Sequence, residues 1–275
     1  MMPATRRLLP SNAPVTPNKR AGPTITDVPG RLASATQLKR LLIRYQWAST
    51  YCVGADVVDA ACGTGQGLNL LNLSARRVHG ADLSRDNLTV AHATYGGRIP
   101  LVASDAESLP IADQSVDVVV FLETLYFLAS PETFIAEARR VLRPGGKLLV
   151  SVINKDCGDY NLSPLYSRHF GCVELSRCLL DAGFSVQCYG AIPMDQPSLR
   201  ERVFRPIKRL AAQLHLIPNT MQGREWIKRV VFGRLDVIPR EITPDGKPYH
   251  APERLSSSQP DKRHQVILCV ATKPT

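Results

Sequence analysis

The sequence predicts an α/β protein: a parallel, doubly wound sheet covered by helices on both faces, in three αβα layers. Short, continuous apolar runs alternate with helical stripes from residue 55 to residue 190, the pattern of strands buried on both sides. An apolar run ending in an acid, Val57-Val58-Asp59, leads into a Gly-x-Gly-x-Gly loop (Gly63, Gly65, Gly67) and then Leu68, Leu70, Leu71 and Leu73, a strand turning sharply into a helix. With 275 residues, 44% hydrophobic and 21% charged, the chain is long enough for one such domain with an insertion.

The first 30 residues hold six prolines and no sustained apolar period, which predicts a disordered, basic tail over 1–30. Leu38, Leu41, Leu42, Tyr45 and Ala48 form a stripe on a lead-in helix over 32–51 that can fold over the mouth of a site. Tyr45 is expected to pack and Arg44 to be solvated. After the glycine loop come a strand at Arg77–Ala81, a helix at Arg85–Thr94 capped by Ser84, and strands at Ile99–Ala103 and Ser115–Leu122. Ser130-Pro131 starts a helix carrying Phe134, Ile135, Ala138, Val141 and Leu142, and Pro144-Gly145-Gly146 stops it. Strands at Lys147–Ile153, Phe184–Tyr189 and Gln265–Thr272 and a helix at Val173–Ala182 complete the core.

The core thus spans 31–192 and is closed by a final strand within 264–275. Residues 193–263 are expected to form an insertion with two basic amphipathic helices. One carries Val203, Phe204, Ile207, Leu210, Ala211 and Leu214; the other carries Trp226, Ile227, Val230, Val231 and Leu235. Packing on the core as a lid is the simpler reading, and peripheral contact with a membrane surface is the alternative. Thr243–Asp261, polar and proline-rich, reads as a loop.

The formal charge of +10 is uneven. Residues 1–40 hold seven Lys/Arg and one acid, 41–192 hold twelve and fifteen, and 193–275 hold fifteen and eight. Such basic flanks suit nucleic acid, anionic lipid, a phosphorylated substrate or a merely solvated surface. No apolar run approaches the roughly 20 residues needed to span a bilayer. The seven cysteines are odd in number, scattered and without a C-x-x-C pair. That argues against a disulfide framework and a zinc site, and places the chain in a reducing compartment, the cytoplasm. No histidine pairs with Cys or Asp at metal-ligand spacing, so no metal site is expected.

In a doubly wound sheet ligands bind beyond the carboxyl ends of the strands at the switch point. Asp59, Asp82, Asp105 and Glu123 each follow a strand and can converge there. Asp82 can accept both hydroxyl hydrogens of a ribose, and Asp105, followed by Ala106, can accept from an exocyclic adenine amine. With the glycine loop, these acids favour an adenosine ligand.

The motifs Asp-Ala-Ala-Cys-Gly-Thr-Gly-Gln-Gly (59–67), Gly-Ala-Asp-Leu-Ser (80–84), Ser-Asp-Ala-Glu-Ser-Leu-Pro (104–110), Ser-Val-Asp-Val-Val-Val (115–120) and Val-Leu-Arg-Pro-Gly-Gly-Lys-Leu-Leu-Val (141–150) resemble those of class I S-adenosylmethionine-dependent methyltransferases, of the small-molecule, methyltransferase-11-like kind. The resemblance implies a seven-stranded Rossmann-like sheet whose last strand runs antiparallel, and S-adenosylmethionine as cofactor. It implies a donor site of Asp59, Ala60, Cys62, Gly63, Gly65, Asp82, Leu83, Asp105, Ala106, Phe121 and Leu122. In it Asp59 lies near the methionine amino group, Asp82 on the ribose and Leu83 on the adenine. Glu123, Tyr126 and His169 are the catalytic candidates, because their loops surround the transferable methyl group. His169 is alternatively packed between Tyr166 and Phe170.

No Asn-Pro-Pro-Tyr-type sequence follows the fourth strand, where Phe121-Leu122-Glu123-Thr124 stands. Arg-Tyr-x-x-Ala (44–48) and Leu-Ile-Pro-x-Thr-Met (216–221) resemble bacterial methyltransferases of sugar or polysaccharide pathways. The expected acceptor is a small polar molecule, a glycan or secondary metabolite methylated on oxygen. The alternatives are a nucleic-acid methyltransferase using the basic flanks and a non-catalytic S-adenosylmethionine-binding protein.

Overall fold

The computed structural model describes residues 28–158, 160, 163, 165–194, 235–243 and 249–275. The expected disordered tail, apart from its last residues, and the two lid helices up to residue 234 lie outside the described residues. In chain order the elements are β1 (Leu32–Ser34), α1 (Ala35–Ser49), β2 (Asp56–Asp59), α2 (Leu68–Asn72), β3 (Arg77–Asp82), α3 (Arg85–Tyr95), β4 (Leu101–Ala103) and β5 (Val116–Leu122). They continue with α4 (Pro131–Val141), β6 (Leu142–Ile153), α5 (Cys172–Asp181), β7 (Ser185–Pro193), β8 (Leu235–Val237), β9 (Glu253–Leu255) and β10 (His264–Thr272).

Eight strands form the main sheet in the order β4-β3-β2-β5-β6-β10-β7-β9. The chain runs outward from β2 through β3 to β4 and returns to β5 on the other side of β2, so the switch point lies between β2 and β5. β10 inserts antiparallel between β6 and β7. These are the seven strands expected, with the final one reversed. Glu253–Leu255, expected in a loop, adds a short eighth strand at the edge of β7.

Successive residues of a strand point to opposite faces, and the two cores follow that alternation. Val57, Val118, Val120 and Leu122 pack with Leu41, Tyr45, Leu68 and Tyr95 of α1 to α3. Val58, Val119 and Phe121 pack with Phe134 and Ile135 of α4 and Leu175 of α5. Ser34 and Ser84 cap α1 and α3 by accepting from the N–H groups of Gln37 and Asn87. Ser130 makes no such cap; its hydroxyl accepts from Thr133 Oγ1.

Some expected boundaries move. β1 precedes the lead-in helix and pairs with β8, so Leu235, expected in a helical stripe, is in a strand. Pro144-Gly145-Gly146 belongs to the long β6 rather than to a break. The Gly145 N–H donates to Lys273 O and the Lys273 N–H to Gly146 O, which ties this stretch to the end of the chain. Cys188 and Cys269, expected to be free thiols, face each other in register on β7 and β10 and form a disulfide. Pairing in the fold brings together cysteines 81 residues apart in sequence. The other five cysteines are free and buried. No helix among the described residues is long and apolar enough to cross a membrane.

Candidate active site

At the switch point β2 ends in Asp59, and the loop that follows turns back on itself through Gly63 and Gly65, with φ of 57° and 83°. Both angles lie in the left-handed region that glycine enters without steric cost. Gly67 serves a different purpose. A Cβ there would meet the Tyr45 ring at 2.2 Å, so its absence lets α1 lie directly on the loop.

From that position Tyr45 donates its hydroxyl to Asp59 Oδ2 at 3.0 Å. Asp59 is wholly buried, and its Oδ1 has no hydrogen-bond partner. Burial pushes its pKa up to about 7, with the Asp82 charge adding to the rise and Tyr45, Arg44 and the Ala61 N–H opposing it. An orphaned buried carboxylate oxygen calls for a cationic donor. The ammonium of a bound methionine moiety fits that need. Leu83, 49% exposed beside Asp82, offers the unpartnered apolar surface that an adenine ring would cover.

Asp82 is buried at the end of β3 and already accepts three hydrogen bonds. They come from Gly63 N at 2.9 Å, Ser84 N at 2.9 Å and Asn87 Nδ2 at 3.0 Å. An ionised carboxylate has about four acceptor positions, so the carboxylate that was expected to face a ribose also fastens the glycine loop to the start of α3. Asp105 is exposed, and its Oδ1 accepts from the Glu107 N–H at 3.0 Å; Ala106 beside it is buried.

Other expected donor residues turn their side chains into the cores. The Ala60 and Cys62 N–H groups donate to Val120 O and Ala81 O, while their side chains are enclosed in the two cores. Phe121, expected to line the donor, is fully buried and stacks on Phe134 with ring centroids 3.7 Å apart. Strand alternation turns it away from the α1 face, where Leu122 points instead.

Past β5 the backbone turns at Glu123, whose φ is 56°, an unusual value for a residue with a side chain. Its N–H donates to Ser151 O and Ser151 Oγ, both at 3.0 Å. Its carboxylate accepts from Ser151 Oγ at 3.3 Å and from the Tyr126 hydroxyl at 3.2 Å. Tyr126 is buried, and burial first and the Glu123 charge second raise its pKa.

Beyond Tyr126 lies an aromatic wall. The Tyr166 ring centroid is 4.3 Å from that of Tyr126 and 5.8 Å from that of His169. His169 Nδ1 is hydrogen-bonded to the Tyr160 hydroxyl, so its ring neighbours are Tyr160 and Tyr166. The Ser167 N–H donates to Tyr126 O and anchors this segment. The three expected catalytic side chains therefore sit along one wall.

Ser151, Tyr160 and Tyr166 were not singled out from the sequence for this wall. Ser151 had a signal, a polar residue within the apolar run Leu148–Ile153. Arg44, expected in solvent, is half-buried 5.9 Å from the Tyr45 ring centroid. Elsewhere, buried His264 is hydrogen-bonded to Asp261 and lies 3.3 Å from Glu253 Oε2.

A mostly parallel sheet whose final strand inserts antiparallel, a glycine loop at its switch point and acids beyond successive strands define an S-adenosylmethionine-binding fold. Residues 58–150 match the family described as the methyltransferase domain. A probable S-adenosylmethionine-dependent methyltransferase of Mycolicibacterium smegmatis is 37% identical over 65% of this chain and 68% of its own length. The chain belongs to the class I S-adenosylmethionine-dependent methyltransferases, enzymes that use S-adenosylmethionine as cofactor. The O-methyltransferase cnsE of Penicillium expansum is 29% identical over 54% of this chain and 56% of its own length. A Thermotoga maritima structure, described as a possible histamine N-methyltransferase, shares the fold at 16% identity, with a TM-score of 0.55 and coverage of 86% and 92% of the two chains.

Proposed function

We propose that this methyltransferase acts on a hydroxyl of a small polar acceptor, such as a glycan or secondary metabolite, with Glu123 as the general base. The arrangement at Glu123 carries this reading. A carboxylate at the carboxyl end of β5, one strand from the glycine loop, is fixed by Ser151 and Tyr126 beside an aromatic wall. The similarity to an O-methyltransferase supports oxygen as the nucleophile.

When bound, S-adenosylmethionine would supply an electrophilic methyl group on a sulfonium whose sulfur becomes a neutral thioether on transfer. The residues of this chain do the rest. Asp59 Oδ1 and the glycine loop would hold the methionine end, while Asp82 and Leu83 would take the ribose and adenine, with Asp105 and Ala106 at the adenine edge. Glu123 takes the proton of the acceptor hydroxyl as its oxygen bonds to the methyl carbon. Tyr126 and Ser151 keep the carboxylate aimed, and the wall through Tyr166 to His169 positions the acceptor. Alignment of this kind supplies much of the acceleration in a displacement whose leaving group is already activated.

In this reading 31–192 with 264–275 form the donor-binding unit, and the described residues 235–243 border it. Ile238 and Ile242 lie in the α1-side core, and the Ile242 N–H donates to Gln66 O in the glycine loop at 2.8 Å, which supports a role for this segment over the donor. The five buried free thiols support a reducing, cytoplasmic setting, in which Cys188–Cys269 is the exception. Mass spectrometry of metabolites and glycans, with and without the protein, tests the function by seeking products heavier by one methylene.

A further inference from the structure

The glycine loop runs straight into α2, which starts after Gly67, a residue with no side chain to cap the helix. The first N–H groups of α2 therefore need acceptors from elsewhere in the fold. One comes from the last residue of α3. The Tyr95 hydroxyl accepts from the Asn69 N–H at 3.3 Å and donates to Gly65 O at 2.6 Å, so one group joins the loop to the first turn of the helix behind it.

The hydroxyl is itself held in place. Tyr95 is 1% exposed, and burial raises its pKa, so the phenol keeps the proton it donates. Gly96, with φ of 55°, ends α3 directly after it and donates its N–H to His92 O. The ring fits closely on the loop, since a Cβ on Gly65 would stand 3.0 Å from the Tyr95 ring and 3.0 Å from Ala91 Cβ. A trans peptide sets its N–H opposite its C=O, so fixing the Gly65 carbonyl also fixes the direction of the Gln66 N–H. In the first turn of α3, Asn87 donates to Asp82. Asn87 and Tyr95 lie about 12 Å apart along the helix axis, so α3 fastens both the acid of β3 and the glycine loop.

We propose that Tyr95 is a positioning residue for the methyl donor: its hydroxyl supplies the missing cap of α2 and fixes the glycine loop in the form that receives the methionine end. It touches no reacting atom and acts through Gly65 and Asn69. This rests on the assignment of the loop to the methionine end of S-adenosylmethionine. Loss of the hydroxyl then weakens binding of the amino-acid part of the donor and spares the adenosine part on the side of Asp82 and Leu83.

Calorimetry on the full chain compares S-adenosylhomocysteine with methylthioadenosine, which lacks the amino-acid part, before and after Tyr95→Phe, which keeps the ring and removes only the hydroxyl. S-adenosylhomocysteine affinity is expected to fall about tenfold in the variant while methylthioadenosine affinity stays the same. Amide exchange of the unaltered chain is the second measurement: S-adenosylhomocysteine is expected to slow exchange of the Asn69 N–H more than methylthioadenosine does. The proposal is overturned if Tyr95→Phe weakens both ligands alike or neither, or if S-adenosylhomocysteine leaves Asn69 exchange unchanged. Should the unaltered chain bind S-adenosylhomocysteine no more tightly than methylthioadenosine, the assignment of the loop to the methionine end fails, and the proposal with it.

Discussion

Tyr45 donates a hydrogen bond to Asp59, so the helix that precedes the first core strand holds the buried acid of the glycine loop. Because the hydroxyl favours the ionised carboxylate, Tyr45→Phe raises the Asp59 pKa further. A bond to a charged group is worth about 1.5–3 kcal/mol, so cofactor affinity near neutral pH is expected to fall roughly tenfold or more. Calorimetry checks this; an affinity equal to that of the unaltered protein would separate Tyr45 from the donor site.

The pH dependence follows from the same acid. With the Asp59 pKa at about 7, an ammonium that binds the carboxylate drives it to the ionised form and releases a proton. Apparent cofactor affinity therefore rises with pH up to about 7 and flattens above, and Asp59→Asn removes this dependence. The effect on folding has the opposite sign. The native state holds this proton more tightly than the unfolded chain, so the Asp59 contribution to stability declines as pH rises from about 4 towards 7. Titrations in buffers of different ionisation enthalpy count the proton, and a release of zero at pH 7 contradicts the assignment.

Asp82 joins three segments, so Asp82→Ala frees the Gly63 N–H, the Ser84 N–H and the Asn87 side chain together. A loss of cofactor affinity of about a hundredfold or more, with a lower Tm, is expected. Unchanged binding by calorimetry would remove Asp82 from the site.

The opposite end of the sheet provides a control. Asp56 is buried and receives hydrogen bonds from Arg76, Arg77 and Arg143; Arg77 first and Arg76 second hold its carboxyl well below the usual range. Its contribution to stability is present above the unfolded-state pKa and is lost as pH falls through the depressed value. Asp56→Asn should lower Tm by several degrees while leaving cofactor affinity unchanged at saturating fold. A matching loss of affinity would mean that the two ends are coupled.

The strands could be read from the sequence because each is a continuous apolar run bounded by glycine, proline or acid. Val57-Val58-Asp59 and Val118–Leu122 reveal both a strand and the place where its chemistry begins. β9 could not be read this way: Glu253-Arg254-Leu255 has no apolar signature and is held by backbone pairing with β7. The Cys188–Cys269 bond depends on register between distant strands, which composition does not encode. Side-chain parity is legible in the sequence. Phe121 and Leu122 must face opposite layers, and Val120 in the α1-side core already shows which one turns to that side. Ser151 and the Tyr160–Tyr166 wall become meaningful only when β6 lies beside β5 and the segment before α5 folds back onto Tyr126.

The most direct test of the central claim uses methyl-labelled S-adenosylmethionine with an extract of small metabolites and compares the unaltered protein with Glu123→Gln. The account predicts label in an O-methyl group of a small polar product. It also predicts that the substitution slows transfer by about 10²–10⁴-fold, the usual worth of a general base, while cofactor affinity stays nearly the same. Normal turnover by Glu123→Gln, or label that enters RNA rather than a small molecule, would contradict it.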